Sequence, residues 1–151
     1  QWEEVFRTNI AGALLFMREA GRVLISEAEK DVWPGNPRDI VVLGSVVGRN
    51  ISPFSALYGT SKFAIGSAAE ALRRELAPKG VRVTLVLPAV VVSEFQGVAG
   101  YDPKWFAEFE ERSGPFLEPQ DIAEAIRFAV SQPARMCVSE ITVRATRQDY
   151  P

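Results

Sequence analysis

Ile40-Val41-Val42-Leu43 constrains this chain more than any other stretch. It is a continuous aliphatic, β-branched run ending at Gly44-Ser45, the pattern of a strand covered on both faces rather than of one with a wet side. Such a strand needs helices above and below it, and helical patterns flank it. From Trp2 to about Ala28 the residues Val5, Ile10, Ala13, Leu14, Met17, Ala20, Leu24 and Ile25 recur at helical spacing with no proline between them. From Ser55 to Leu76 an alanine-rich stretch carries an apolar stripe of Leu57, Phe63, Ala64, Ala68, Ala71, Leu72 and Leu76, and Pro78 and Gly80 end it.

The remaining segments repeat this alternation. Pro34-Gly35-Asn36-Pro37 breaks helix and strand alike and marks an exposed loop. Val81 to Leu87 is strand-like and stops at Pro88. Ser93 to Leu117 is mixed, with Gly97, Gly100, Gly114 and Pro115 around a short aromatic helix bearing Trp105, Phe106 and Phe109. Segments of this length between core elements are often lids. Glu118-Pro119-Gln120-Asp121 opens a helix from Ile122 to Val130, Val138 to Val143 reads as a last strand, and Arg144 to Pro151 is a polar tail. The order predicts one α/β domain over residues 1–151, a parallel sheet of three strands with helices on its faces, and a lid over 93–118.

Composition narrows the function. The chain has 151 residues, 47% of them apolar and 24% charged, which is ordinary for a globular domain with a real core. A net charge of −2 gives no broad attraction to nucleic acid or to an anionic membrane. There is no histidine, so no Ser-His-Asp triad, Cys-His dyad or His-based zinc site can form, and no metal is expected. Cys137, the single cysteine, lies between Met136 and Val138 and reads as a buried, inert thiol in a reducing compartment. The apolar run from Thr84 to Val92 is far shorter than the roughly 20 residues of a membrane span. Gln1-Trp2-Glu3-Glu4 lacks the features of a signal peptide, so a cytoplasmic location is expected. The chain opens inside a helical pattern without an initiator methionine, and is expected to belong to something longer.

The residues with chemistry are Ser45 and the run Tyr58-Gly59-Thr60-Ser61-Lys62. Tyr58 and Lys62, at i and i+4 of a predicted helix, project from one face. A phenol is a poor base at neutral pH, and a neighbouring ammonium favours the phenolate, as proton transfer with an alcohol or carbonyl requires. Ser45, delivered by the end of the strand, is placed to hold the substrate oxygen. Sites in open parallel sheets gather at the carboxyl ends of strands, where Ser45 and the Pro88 segment belong.

Taken alone, Tyr-x-x-x-Lys is a weak motif. Together with the serine at a strand end, the small-residue helix and the strand running into Pro88, it resembles the short-chain dehydrogenase/reductase family. The resemblance covers nearly the whole chain, as the C-terminal half to two-thirds of that family's Rossmann-like, doubly wound domain. It implies a catalytic tetrad of Asn9, Ser45, Tyr58 and Lys62. In it Tyr58 is the acid/base, Lys62 lowers its pKa and holds a nicotinamide ribose, Ser45 orients the substrate oxygen, and Asn9 supports a water leading to Lys62. The family's Pro-Gly-x-Val-x-Thr stretch reads here as Pro88-Ala89-Val90-Val91-Val92-Ser93, so Pro88, Ala89, Val91 and Ser93 are expected beside the cofactor, NAD or NADP. Ala89 replaces the glycine and Ser93 the threonine. The tail, from Glu118-Pro119-Gln120-Asp121 through Glu140-Ile141-Thr142-Val143, is similar to the branch of 3-hydroxy acid and serine dehydrogenases.

The family's glycine-rich turn is absent from this sequence, and with it the cradle for a pyrophosphate. The chain by itself is therefore expected to bind a dinucleotide poorly. The resemblance implies an oxidoreductase acting on a small alcohol or carbonyl, dimeric or tetrameric through its two long helices. Two other readings stay open: a non-catalytic fragment acting as an oligomerisation or interaction module, and a hydrolase using Ser45 with Lys62 as base.

Overall fold

The computed structural model describes residues 2–50, 53 and 55–150; Gln1 and Pro151, the two ends of the chain, lie outside the described residues. The long N-terminal helix forms, but not as one regular α-helix. An α-helical turn, α1 (Trp2–Phe6), passes into a π-helical segment over Arg7–Gly12 and then into α2 (Ala13–Ala28). A loop leads to β1 (Arg38–Leu43), and Ser45 then opens a tight 3-10 turn over Val46–Gly48. Next come α3 (Ala56–Leu76), β2 (Val81–Pro88), a short α4 (Phe95–Val98), α5 (Pro103–Ser113), α6 (Pro119–Val130) and β3 (Glu140–Val143).

The three strands form one parallel sheet in the order β1-β2-β3, as the alternating pattern predicts. Register follows from burial. Ile40 pairs with Val83 and Val42 with Leu85, and all four are buried in one cluster with Met17 of α2 and Ile65, Ala69 and Leu76 of α3. Val81 and Leu87 join them, so the alternate residues of β2 face α2 and α3. Arg82, Thr84 and Val86 point to the other face, toward the end of α6. There the Arg82 guanidinium, 5% exposed, holds both carboxylate oxygens of Asp39 at 2.8 and 2.7 Å. It also donates to the carbonyls of Val130, Gln132, Pro133 and Met136. A buried charge is tolerated only when paired and fully hydrogen-bonded, and this one is.

Several expectations change in detail. β3 begins at Glu140 rather than Val138, because its partners on β2 run only from Leu85 to Pro88. α6 begins at Pro119, where Asp121 accepts from the Glu118 N–H at 2.8 Å and closes its first turn. The lid segment holds two helices, not one. Cys137 is exposed, not buried, with Sγ 3.6 Å from the Val83 carbonyl at the sheet's margin. Leu14 is exposed, so it is not part of the core stripe of α2. The buried face of α3 runs through Ile65, Ala69 and Leu76 with Ala68 and Leu72 packed beside it, and Phe63 lies outside it, exposed.

β1 is an edge strand among the described residues, with Leu43 52% exposed. A groove of about 280 Å³ runs along it beneath Ala13, Phe16 and Met17 of α2 and reaches Asn9 and Lys62. No helix among the described residues is long and apolar enough to cross a membrane.

Candidate active site

The chain reaches its chemistry through close packing at the carboxyl end of β1. After Leu43 the backbone turns at Ser45, whose extended conformation starts the Val46–Gly48 turn. All three residues of that turn are buried against α3. A Cβ on Gly48 would come within 2.8 Å of the Lys62 carbonyl oxygen, so only glycine lets the turn lie this close to the helix. Gly48 is thus the residue that sets the distance between Ser45 and the Tyr58–Lys62 face.

Ser45, Tyr58 and Lys62 come together as expected. The Ser45 hydroxyl accepts from the Val47 N–H at 3.4 Å, donates to the Pro88 carbonyl at 3.4 Å and lies near enough to the Tyr58 phenol to pull its pKa down. It therefore ties the end of β1 to the end of β2. The Lys62 ammonium lies 5.5 Å from the centroid of the Tyr58 ring and donates to the Leu43 carbonyl at 3.1 Å. It stands over the ring face rather than at the hydroxyl.

The proton energetics differ from the expectation that Lys62 lowers the Tyr58 pKa. Burial pushes the phenol above its ordinary value; the Ser45 hydroxyl pulls it down, and Tyr101 adds to the rise. Burial also pushes the Lys62 ammonium below its ordinary value. Both groups are held toward their uncharged forms because each leaves water and burial outweighs the contacts that favour charge.

Asn9 is linked to this trio at one remove. Its Nδ2 donates to Ser61 Oγ at 3.1 Å, and Ser61, fully buried, donates to the Tyr58 carbonyl at 2.7 Å. Asn9 lies within the π-helical segment, a distortion that often marks functional positions. It lines the same groove as Lys62.

Pro88 ends β2, and Ala89, Val91 and Ser93 continue from it as an ordered strap. The Ala89 N–H donates to Val143, Val90 to the side chain of Gln148 and Val92 to Leu117. Gln96 binds the Val91 carbonyl at 2.8 Å and accepts from the Ser93 N–H at 3.0 Å, while Ser93 Oγ accepts from the Phe95 N–H. Gln96 and the buried Gln148 have no signature in the sequence. Their amides act across 5 and 58 positions, and no local pattern carries the second. Phe95 then lays its ring 5.7 Å from that of Tyr58. Among the described residues no cluster of His, Cys, Asp or Glu has the makings of a metal site.

Known proteins resemble this chain in sequence and fold. Residues 1–102 match the family described as short chain dehydrogenase. An uncharacterized oxidoreductase of Staphylococcus saprophyticus is 32% identical over 143 residues, which are 95% of this chain and 53% of the relative. One from Staphylococcus aureus strain MW2 is 30% identical over 144 residues, 95% of this chain and 54% of its own length. This chain thus spans about half the length of the curated relatives it matches. Among solved structures, the closed form of a serine dehydrogenase complexed with NADP+ superposes with a TM-score of 0.81 at 28% identity, covering 99% of this chain and 57% of that one. A 4-hydroxyisoleucine dehydrogenase complexed with NADH, at 21% identity and a TM-score of 0.77 over 95% of this chain and 58% of its own, shares the fold. With residues 1–102 matched by the family and its parallel sheet shared with these structures, the chain belongs to the short chain dehydrogenases.

Proposed function

We propose that this chain supplies the catalytic and substrate-binding portion of an NAD(P)-dependent oxidoreductase that interconverts an alcohol and a carbonyl. One observation carries the reading: a serine hydroxyl beside a half-buried phenol, with an ammonium over the ring, at the carboxyl ends of adjacent parallel strands. When bound, the nicotinamide exchanges a hydride with the carbinol carbon. The chain's own residues handle the proton. Tyr58 gives its phenolic proton to the carbonyl oxygen in reduction and takes it back in oxidation, and Ser45 holds that oxygen in place. Lys62 stabilises charge on the phenolate as it forms. Asn9, through Ser61, holds the helix backbone at Tyr58 and supports the approach to Lys62.

The donor set suits the nicotinamide end of a dinucleotide. An ammonium offers three N–H donors, and among the described residues Lys62 Nζ meets the Leu43 carbonyl, so donors remain for a ribose diol. The strap Pro88, Ala89, Val91 and Ser93 would border the ring, and residues 93–118 would act as the lid over the substrate. The test follows a deuterium on the carbinol carbon of a substrate alcohol. Its arrival on the nicotinamide is the expected result; label lost to water or retained in the alcohol during turnover would refute the hydride step.

The same reading assigns assembly into a dimer or tetramer to the two long helices, where Leu15, Phe16 and Phe63 are exposed. A light-scattering mass of a single chain would refute it. A second reading, an interaction module without catalysis, is favoured by the open β1 edge, and it predicts that NAD(P)H fluorescence never responds to the chain.

A further inference from the structure

The lid over Tyr58 has a buried end and an open end. At the buried end, Phe106 and Phe109 stack on Phe116 with ring centroids 5.7 and 4.8 Å apart, and Phe116 is 7% exposed. That end is packing. At the other end the rings continue from Trp105 to Tyr101 at 5.8 Å, from Tyr101 to Phe95 at 6.3 Å, and from Phe95 to Tyr58 at 5.7 Å. Phe95 and Tyr101 remain 43% and 41% exposed although they adjoin the half-buried acid/base. Tyr101 also lies within electrostatic reach of the Tyr58 phenol. An exposed aromatic wall beside a reacting group offers stacking area to a ligand.

Charge points the same way. Between Arg82 and Lys104 the sequence contains no lysine or arginine, and the charges in that interval are Glu94 and Asp102. Asp102 is occupied in capping α5 through the Trp105 N–H at 2.7 Å. The polar groups of the strap bond one another: Gln96 with Val91 and Ser93, and Ser93 with Phe95. A substrate carboxylate beside the reacting carbon needs a guanidinium, an ammonium or paired N–H groups to replace its water. Phe95 and Tyr101 offer rings, and the charged residues nearest them in sequence are the carboxylates Glu94 and Asp102.

We propose that the site takes an uncharged alcohol or ketone bearing an aryl or comparably broad apolar group, stacked on Phe95 and Tyr101, and that it rejects hydroxy acids. This selectivity would set the chain apart from the serine dehydrogenase it superposes on, despite the likeness of its tail. The proposal rests on Tyr58 as the acid/base of an alcohol/carbonyl pair.

Its test is direct binding to the chain by saturation-transfer NMR, with 1-phenylethanol, 3-hydroxybutyrate and L-serine as probes. The expected result is transfer to the phenyl protons and at least about tenfold weaker retention of both acids. Phe95→Ala and Tyr101→Ala should weaken phenyl binding about five- to tenfold, while Tyr101→Phe retains it; thermal melts confirm that each variant folds. Phe95→Arg should bring 3-hydroxybutyrate binding up. Equal or tighter binding of the acids, no binding of 1-phenylethanol, or wall variants that bind like the parent would each overturn the proposal. Tyr58→Phe keeps its ring and should still bind 1-phenylethanol. Thus an aryl preference alongside undiminished turnover in Tyr58→Phe would sink the acid/base reading alone, and an acid preference with turnover abolished would sink the substrate class alone.

Discussion

Gly48 approaches the Lys62 carbonyl so closely that a single Cβ would sit 2.8 Å from it, and Ser61 beneath Tyr58 has no exposed surface. Beyond the strap, Phe95, Tyr101 and Trp105 keep 41% to 50% of their surface in solvent, and the strap leading to them is held by a side-chain amide. The two sides of one site are built to different standards. The side proposed to position the proton is part of the core, where a shift of about half an ångström would break packing. The side proposed to meet the substrate is a pair of short helices on loops, free to change its surface without disturbing the sheet.

That contrast can be broken by mutation. The largest stability effect is expected for Arg82→Ala, which strands the Asp39 carboxylate and four carbonyls beneath the sheet. It should cost about 3–5 kcal/mol in chemical denaturation, and a loss under about 1 kcal/mol would show that the face opposite the site is not what anchors β2. Next comes Gly48→Ala. Forcing the turn away from Lys62 should cost about 1–3 kcal/mol and move the Ser45 hydroxyl off Tyr58. The decisive readout is turnover falling further than stability explains, and unchanged kinetics would mean that the close approach is packing alone. Trp105→Ala, at the half-exposed end of the lid, should cost about 1–2 kcal/mol, because half of the residue's surface is already in solvent. A larger loss would make the lid part of the core.

The smallest effect is one of pH. Burial lowers the Lys62 pKa, so the folded chain binds that proton less tightly than the unfolded chain does. The ammonium therefore destabilises the fold at neutral pH, and stability is recovered as pH rises through the lowered pKa toward the ordinary value of 10.5. Lys62→Met should melt a degree or two (~1–2 °C) above the parent at pH 7, with the advantage shrinking as pH approaches 10.5. An advantage that grew with pH would reverse the assignment, and the cost of holding a functional cation would then not be visible in stability.

How far the molecule is legible from its residues follows the same division. The Ile40–Leu43 run, the extent of α3 and the i, i+4 spacing of Tyr58 and Lys62 are local patterns, and each forms where periodicity puts it. The pairing of Ser45 with Tyr58 follows because both sit at ends of elements whose packing is fixed by the same aliphatic residues. Asn9 is identifiable only through the family's pattern; the π-helical segment that carries it leaves no trace in apolar spacing, since one wider turn keeps the stripe nearly intact. Arg82 is hidden within a strand-like run, its partners up to 54 positions away. Cys137 departs from its expected burial because apolar neighbours in sequence are not neighbours in space. Val138 fits β3 by composition, yet strand length is set by the partner strand.

Under the proposed function, Tyr58 is the group on which the chemistry of this site turns. The most direct measurement is turnover of the NAD(P)-loaded enzyme with Tyr58→Phe, alongside dinucleotide binding followed by fluorescence. The expected result is turnover lower by about 10²–10⁴-fold with binding unchanged, since the ring stays and only the hydroxyl is lost. Turnover within a few-fold of the parent would contradict proton transfer by Tyr58 with Ser45 and Lys62 as its partners.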